Sequence, residues 1–125
     1  MSAPSAEQGA LPFCYLTTTG RVSGRPHEIE IWFALQGSTV YMLSEMGERA
    51  DWVKNLRKTP SVRVRIGALT YPGVARWLAP EEPEDGLARR LIAAKYEGWR
   101  EGEALPEWVR EALAVAVDLG DVADS

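Results

Sequence analysis

Hydrophobic and polar residues alternate along much of the N-terminal two thirds of the chain, a pattern typical of strands with one buried face. The alternation is clearest over residues 27–35, where Ile29, Ile31, Phe33 and Leu35 share one face. Segments rich in β-branched and aromatic residues predict further strands at 12–19, 39–44, 61–67 and 70–79. Because Pro72 and Gly73 interrupt the last of these, we expect a bulge or an edge position there.

Helical spacing replaces the alternation in three segments. Trp52 and Leu56 share a face within residues 48–58, and Pro60 ends that predicted helix. A second helix is predicted after Pro80, where proline and acidic residues suit a helix start. A third is predicted from Pro106, and its apolar positions are Val109, Ala112, Leu113 and Ala116. A short last strand is predicted at 117–119.

The order of these elements predicts an α+β fold, in which an antiparallel sheet curls into a barrel with flanking helices. Residues 1–10 are mostly small and polar, so we expect them to form a flexible N-terminal arm. Residues 11–120 are expected to form one domain, and residues 121–125 a polar tail.

Composition narrows the class of function. The chain has 125 residues and a formal net charge of −4, which argues against a general nucleic-acid binder. No apolar run reaches the roughly 18 to 20 residues of a membrane span, and no leader pattern opens the chain, so we expect a cytoplasmic protein. The single cysteine, Cys14, excludes an internal disulfide, and one cysteine with one histidine, His27, argues against a metal site of the usual kinds.

The turn at residues 17–26 is the richest in polar chemistry. Gly20 and Gly24 let backbone amides converge, Ser23 adds a hydroxyl, and Arg21 and Arg25 add guanidinium groups. Such a turn suits a phosphate or a polycarboxylate tail. A solvated hairpin turn with surface arginines has the same composition, and the residues alone leave both interpretations open.

The segment after the strand at 39–44 offers a second candidate. Ser44 ends the strand, Gly47 follows, and the free amides of the next helix could hold an anion or the oxygen-rich edge of a ring. Ser44 could donate a hydrogen bond to a cofactor or substrate, or be an ordinary turn serine. Trp52 could contact a cofactor or belong to the core.

The ordered combination of these motifs resembles the deazaflavin-dependent nitroreductase family. That family lies within the split β-barrel flavin and deazaflavin oxidoreductases, which include the pyridoxamine phosphate oxidases. The resemblance covers residues 13–78, about half of the chain. Its motifs are Leu-Thr-Thr-Thr-Gly-Arg-Val-Ser-Gly-Arg-Pro at 16–26, Trp-Phe at 32–33, Ser-Glu-Met-Gly at 44–47 and Trp-Val-Lys-Asn-Leu at 52–56.

The resemblance implies an antiparallel split β-barrel, similar to the FMN-binding split barrels, that uses reduced coenzyme F420 as a hydride donor. The substrate would be an electron-poor small molecule, namely a quinone, a nitro compound or an activated enone. Two alternatives stay open: an FMN-binding split-barrel oxidoreductase, and a non-catalytic barrel that binds a cofactor or another ligand. Relatives of this kind often dimerise, so a homodimer is compatible with the resemblance.

The resemblance also implies roles for individual residues. The phosphate and tail of the cofactor would be held by Arg21, Ser23, Gly24, Arg25 and His27. The deazaflavin would lie along Ser44, Gly47, Trp52 and Asn55, with Trp32 near the substrate. Met46 and Arg49 are further candidate cofactor contacts. Either Ser44 or Tyr96 could act catalytically, by hydrogen bonding to the developing oxyanion or supplying a proton.

Three positions depart from the family pattern. Relatives often carry basic residues where this chain has Val22, His27 and Glu45. A weaker positive charge is therefore expected around an anionic tail, which is why FMN stays an alternative cofactor. Five tryptophans could also wall an apolar site, namely Trp32, Trp52, Trp77, Trp99 and Trp108.

Overall fold

Seven strands form a single antiparallel sheet in this computed structural model, which describes residues 3–122. The strands are β1 Cys14–Thr19, β2 Pro26–Ile31, β3 Ala34–Gln36, β4 Thr39–Ser44, β5 Ser61–Ile66, β6 Leu69–Trp77 and β7 Leu113–Leu119. The helices are α1 Ala6–Gly9, α2 Asp51–Lys58, α3 Pro83–Glu97 and α4 Glu107–Glu111, with a 3-10 helix at Gly47–Arg49. The first two residues of the predicted arm and residues 123–125 of the predicted tail lie outside the described residues.

The sheet has the strand order β2-β1-β5-β6-β7-β4-β3, so β2 and β3 are its two edges. These edges are consecutive in sequence and are joined only by Trp32 and Phe33. A flat seven-stranded sheet would separate its edges by roughly 29 Å, whereas the link from Ile31 to Ala34 spans at most about 10 Å. The sheet must therefore curl until its edges meet, which confirms the predicted α+β barrel with flanking helices.

The prediction of one continuous strand over 27–35 is wrong, because the segment is divided into β2 and β3 at this link. Helix α3 supplies the hydrogen bonds that the backbone of Phe33 loses on leaving the ladder. The Phe33 amide donates to the Tyr96 hydroxyl oxygen at 3.0 Å, and Lys95 Nζ donates to the Phe33 carbonyl at 2.9 Å. The break is thus stabilised by a helix far away in sequence.

The long final helix predicted from Pro106 is also wrong. Helix α4 ends at Glu111, and Leu113 and Ala116 belong to β7. This strand lies between β6 and β4, and Ala114, Val115, Ala116 and Val117 are all buried. A strand buried on both faces has no alternation, so its apolar run resembles a buried helix in sequence.

The predicted helix at 48–58 and the predicted arm also differ from the structure. Ala50 is extended and separates the 3-10 helix from α2.

In the arm, Ser5 and Gln8 form a reciprocal capping box for α1. Gln8 Nε2 donates to the Ile66 carbonyl at 3.0 Å, and the Tyr71 hydroxyl donates to Gln8 Oε1 at 3.2 Å. Residues 5–9 are therefore fastened to the barrel.

Strand β6 accommodates Pro72 without a bulge, since its register with β5 is continuous from Leu69 to Val74. Pairing with β7 begins at Gly73, and the Gly120 amide donates to the Pro72 carbonyl at 2.7 Å. Because β6 lies between β5 and β7, Pro72 occupies neither the bulge nor the edge position that the sequence predicts. Gly73 is needed for packing, because a Cβ atom there would lie 2.5 Å from Val117 Cγ1.

The two faces of the sheet pack against different neighbours. The barrel interior contains a cluster that includes Leu16, Phe33, Met42 and Tyr71. The second cluster packs the outer face of the sheet against α3 and α4; its members include Leu43, Ala88, Ile92 and Val109. No helix between residues 3 and 122 is both long enough and apolar enough to cross a membrane.

An ionic network attaches the start of α3 to the sheet. Arg76 on β6 binds Glu84 through both terminal nitrogens, at 2.7 and 2.8 Å, and Asp118 on β7 through Nε at 2.7 Å. The Tyr41 hydroxyl donates to Glu84 at 2.6 Å. Hydrogen bonds from Arg76 and then Tyr41 lower the pKa of Glu84 to about 2, so the carboxylate is ionised at neutral pH.

We expect Glu84→Gln to lower the free energy of unfolding by about 1 to 2 kcal/mol at pH 7, because Arg76 loses its charged partner while solvent screens the rest. A depressed folded-state pKa stabilises the protein above the unfolded pKa, and this contribution disappears as pH falls through about 2. The difference between wild type and variant should therefore shrink steadily from about pH 5 downwards. Urea unfolding across this range measures it, with Glu81→Gln as the charge-matched control. Equal stabilities at pH 7 would contradict the role given to Glu84.

We expect Gly73→Ala to destabilise the protein by about 1 to 3 kcal/mol, since the added methyl group overlaps Val117 in a sheet that is bonded on both sides. Thermal or urea unfolding measures the change. Gly9→Ala is the control, because its Cβ would meet Leu35 at an ordinary 3.4 Å. A Gly73→Ala protein as stable as wild type would show that this contact relaxes freely.

Candidate functional site

Two cavities lie along the edge strand β2. The β2 groove, of about 510 Å³, lies at the start of the strand, between the β1–β2 turn and α2; its lining includes Gly20, Arg21, Ser23, His27, Trp52 and Asn55. The aromatic recess, of about 270 Å³, lies at the end of the strand; its lining includes Glu30, Trp32, Leu43, Glu45, Ile92 and Trp108. Ile29 lines the groove and Glu30 lines the recess, so β2 borders both cavities.

Asn55 organises the groove from beneath. Its side chain is buried, and Oδ1 accepts from the Arg21 amide at 3.1 Å and from Arg21 Nη1 at 2.9 Å. Its Nδ2 donates to Thr18 Oγ1 at 3.1 Å. One side chain on α2 therefore fixes both the end of β1 and the first residue of the turn. The sequence predicts Asn55 as a cofactor contact, and the structure places it in the groove as the support of the turn.

Arg21 lines the groove with part of its charge already neutralised. Its Nη2 lies 3.1 Å from Asp51 Oδ1, and its carbonyl accepts from Lys58 Nζ at 2.9 Å. The Asp51 side chain is 84% exposed, so this ion pair is open to water. An incoming anion would have to compete with Asp51 for the guanidinium group.

The β1–β2 turn presents further donors. Gly24, with φ of 74°, donates its amide to the Gly20 carbonyl at 2.9 Å, and Ser23 Oγ accepts from the Arg25 amide at 3.1 Å. Among residues 3–122, no acceptor is bonded to the amides of Val22 or Ser23. These two amides, with the exposed side chains of Arg25 and His27, can hold a phosphate or carboxylate.

His27 lies over this turn because residue 20 is glycine. A Cβ atom on Gly20 would lie 2.6 Å from His27 Nε2 and 2.8 Å from Ser23 Oγ. The imidazole is therefore held close to the backbone of the turn. The donors fit the phosphate-bearing tail of a cofactor, although Glu28 and Asp51 also line the groove and oppose its positive charge.

The recess has a rigid aromatic wall. Trp32 and Tyr96 are stacked, with ring centroids 4.2 Å apart and planes within 3° of each other. Trp108 meets Trp32 edge-on at 5.9 Å. Trp32 remains 40% exposed, so the wall is open to a ligand. Because stacked aromatic rings resist reorientation, the recess is largely preformed.

The two hydroxyls predicted to be catalytic are engaged within the fold. Ser44 is 3% exposed, and its hydroxyl donates to the Gly47 carbonyl at 2.9 Å. The Tyr96 hydroxyl accepts from Phe33 and donates to a carbonyl of Pro12 at 2.8 Å or Phe33 at 3.0 Å. Burial raises the pKa of Tyr96. Their catalytic roles stay predictions.

The structure gathers most, but not all, of the predicted site residues. Five meet in the groove: Arg21, Ser23, His27, Trp52 and Asn55. Gly24 and Arg25 belong to the same turn, and Trp32 lies in the recess. Met46 and Arg49 are exposed and line neither cavity, and Gly47, with φ of 62°, shapes the bend after β4. The predicted binding roles of these three stay predictions.

Sequence reasoning missed most of the recess. It named Trp108 only among five tryptophans, and it gave no role to Glu30, Leu43 or Ile92. These residues come from separate strands and helices, so no spacing in the sequence links them. Of the other tryptophans, Trp52 lines the groove, while Trp77 and Trp99 pack against the inner and outer core clusters.

Comparison with solved structures agrees with this architecture. A conserved hypothetical protein from Mycobacterium tuberculosis is similar, with a TM-score of 0.74 and 20% identity over 98% of this chain and 84% of that one. An F420 reductase has a TM-score of 0.67 and 16% identity, covering 98% of each chain. An F420-H2 dependent reductase has a TM-score of 0.65 and 22% identity over 85% of this chain and 93% of that one. At these identities the likeness establishes a shared fold.

The family of this chain is identified by its sequence. The model of the F420H(2)-dependent quinone reductase family matches residues 5–118, which include both cavities. The match confirms the deazaflavin-dependent assignment that the motifs suggested, and it selects between the two cofactors that the sequence left open. The chain belongs to the F420H(2)-dependent quinone reductase family: it is an F420-dependent reductase, and coenzyme F420 is its cofactor.

Proposed function

We propose that the protein reduces an electron-poor small molecule, namely a quinone, a nitro compound or an activated enone, with reduced F420 as the electron source. The observation that carries this proposal is the succession of groove and recess along β2. Strand β2 carries a donor-rich cavity at its start and an apolar aromatic one at its end. That arrangement suits an anionic cofactor beside a flat acceptor.

In this proposal the groove binds the anionic tail. The amides of Val22 and Ser23 donate to it, and Arg25 and His27 add cationic or hydrogen-bonding side chains. Asn55 acts indirectly, since its bonds to Arg21 and Thr18 hold the turn in its binding shape. Affinity comes from a few well-placed donors, because Asp51 already pairs with Arg21.

The acceptor lies against Trp32 in the recess, where the aromatic wall keeps it flat and excludes water from one face. Bound F420, in its reduced form, supplies a hydride, and the protein supplies orientation. A quinone that gains this hydride and one proton becomes a hydroquinone. The hydroxyls of Ser44 and Tyr96 both have partners within the fold, so either one would have to exchange such a hydrogen bond in order to supply the proton.

Purified protein should bind F420 with a dissociation constant in the micromolar range and should catalyse oxidation of reduced F420 by menadione. F420 fluorescence measures the titration, and recovery of F420 absorbance measures turnover. FMN is the control ligand and should bind more weakly. Absence of F420 binding at micromolar concentrations would refute the proposed use of the groove, and binding without turnover would refute the quinone as substrate.

Arg25→Gln should raise the dissociation constant of F420 by about three- to tenfold, because an exposed guanidinium group contributes modestly to binding an anion. The rate at saturating cofactor should change little. Arg100→Gln, which removes the same charge from the exposed loop after α3, is the matched control. If the two variants bind F420 equally well, Arg25 is not a tail contact.

A further inference from the structure

The aromatic recess is surrounded by acidic groups. Glu30 and Glu45 both line it, and within residues 3–122 no lysine, arginine or histidine does so. Glu30 is held in place by the Tyr15 hydroxyl, which donates to Oε2 at 2.8 Å. A third carboxylate lies behind the wall, where Glu97 Oε2 accepts from Trp108 Nε1 at 3.0 Å. Two acidic side chains therefore line one small apolar cavity, and a third is hydrogen-bonded to its wall.

Two positive charges that contact neighbours of the lining residues have other partners. Lys95 Nζ donates to the Phe33 carbonyl and lies 3.7 Å from the centroid of the Phe33 ring, behind Tyr96 and outside the recess. Arg65 lies over the Tyr15 ring at 4.1 Å and faces Glu28 at 3.9 Å. The side chains that line the recess itself are acidic or apolar, and this composition favours a negative potential there.

The walls and the rim together define a class of ligand. Two tryptophans form an apolar, electron-rich surface that attracts flat rings and cations. The volume of about 270 Å³ suits one or two fused rings. An anionic group placed there would face the exposed carboxylates of Glu30 and Glu45, and like charges repel each other.

We infer that the recess selects its substrate by charge, and that it binds flat electron acceptors that are uncharged or positively charged while rejecting anionic ones. Glu30 and Glu45 are the residues that determine this specificity. The inference rests on the proposed function, because it treats the recess as the place where the acceptor binds. It assigns the two cavities opposite electrostatic preferences, with the anionic cofactor tail in the groove and a non-anionic acceptor in the recess.

Three naphthoquinones test the inference: uncharged menadione, a naphthoquinone sulfonate and a naphthoquinone carrying a trimethylammonium group. Binding to cofactor-free protein is measured by quenching of tryptophan fluorescence, which requires no turnover. We expect the sulfonate to bind at least about tenfold more weakly than menadione, and the cationic compound to bind at least as tightly as menadione. Equal affinities for all three, or no quenching by any of them, would overturn the inference.

The double variant Glu30→Gln, Glu45→Gln identifies the residues responsible. Glutamine keeps the shape of both side chains and can still accept the bond from Tyr15. We expect the affinity ratio of menadione to the sulfonate to fall to within about threefold of one, whereas Glu81→Gln, outside both cavities, should keep the wild-type ratio. An unchanged ratio in the double variant would overturn the assignment. If the wild-type protein binds the three naphthoquinones with the expected charge selectivity but does not turn over reduced F420, the proposed function is refuted and the charge selectivity of the recess is not.

Discussion

The short link between β2 and β3 constrains the whole molecule. Only Trp32 and Phe33 join the two edges of a seven-stranded sheet, so the sheet has to close on itself. Closure removes Phe33 from the strand ladder, and α3 replaces its lost partners through Tyr96 and Lys95. Burial at this contact lowers the pKa of Lys95 to about 8. The same helix stacks Tyr96 on Trp32, so the interaction that closes the barrel also orients the recess.

Few charged side chains border the two cavities, and the groove has charges of both signs whereas the recess has acidic ones. In the groove, Arg21 is paired with Asp51, and the turn relies on backbone amides and on the exposed Arg25 and His27. In the recess, acidic side chains border aromatic rings. A protein with a net charge of −4 can therefore hold an anionic cofactor, since binding depends on a few local donors more than on the sign of the whole surface.

Elements whose formation depends on neighbouring residues could be predicted from the sequence, whereas elements that depend on distant contacts could not. Strands such as β5, with Val62, Val64 and Ile66 buried, alternate in sequence because one face meets the core. The turn at 17–26 was similarly predicted from its glycines and arginines. Arg21 and Ser23 of this turn line the groove together with three other predicted residues, His27, Trp52 and Asn55. By contrast, only 117–119 of β7 were predicted as strand and its first half was predicted as helix, because burial on both faces removes its alternation. Ser44 was chosen for its hydroxyl, and no sequence pattern indicated that this hydroxyl would bond to Gly47.

The sequence by itself determined the fold class and the turn that lines the groove, and its ordered motifs indicated the family, while the match to the family model selected F420 over FMN. These depend on residue types and spacings that act over a few neighbouring positions. The tertiary structure alone decided that 27–35 would split into opposite edges of one sheet, and that Glu30, Glu45, Trp32 and Trp108 would share one cavity. Such contacts join segments that lie far apart in the chain, and only barrel closure and helix packing bring them together.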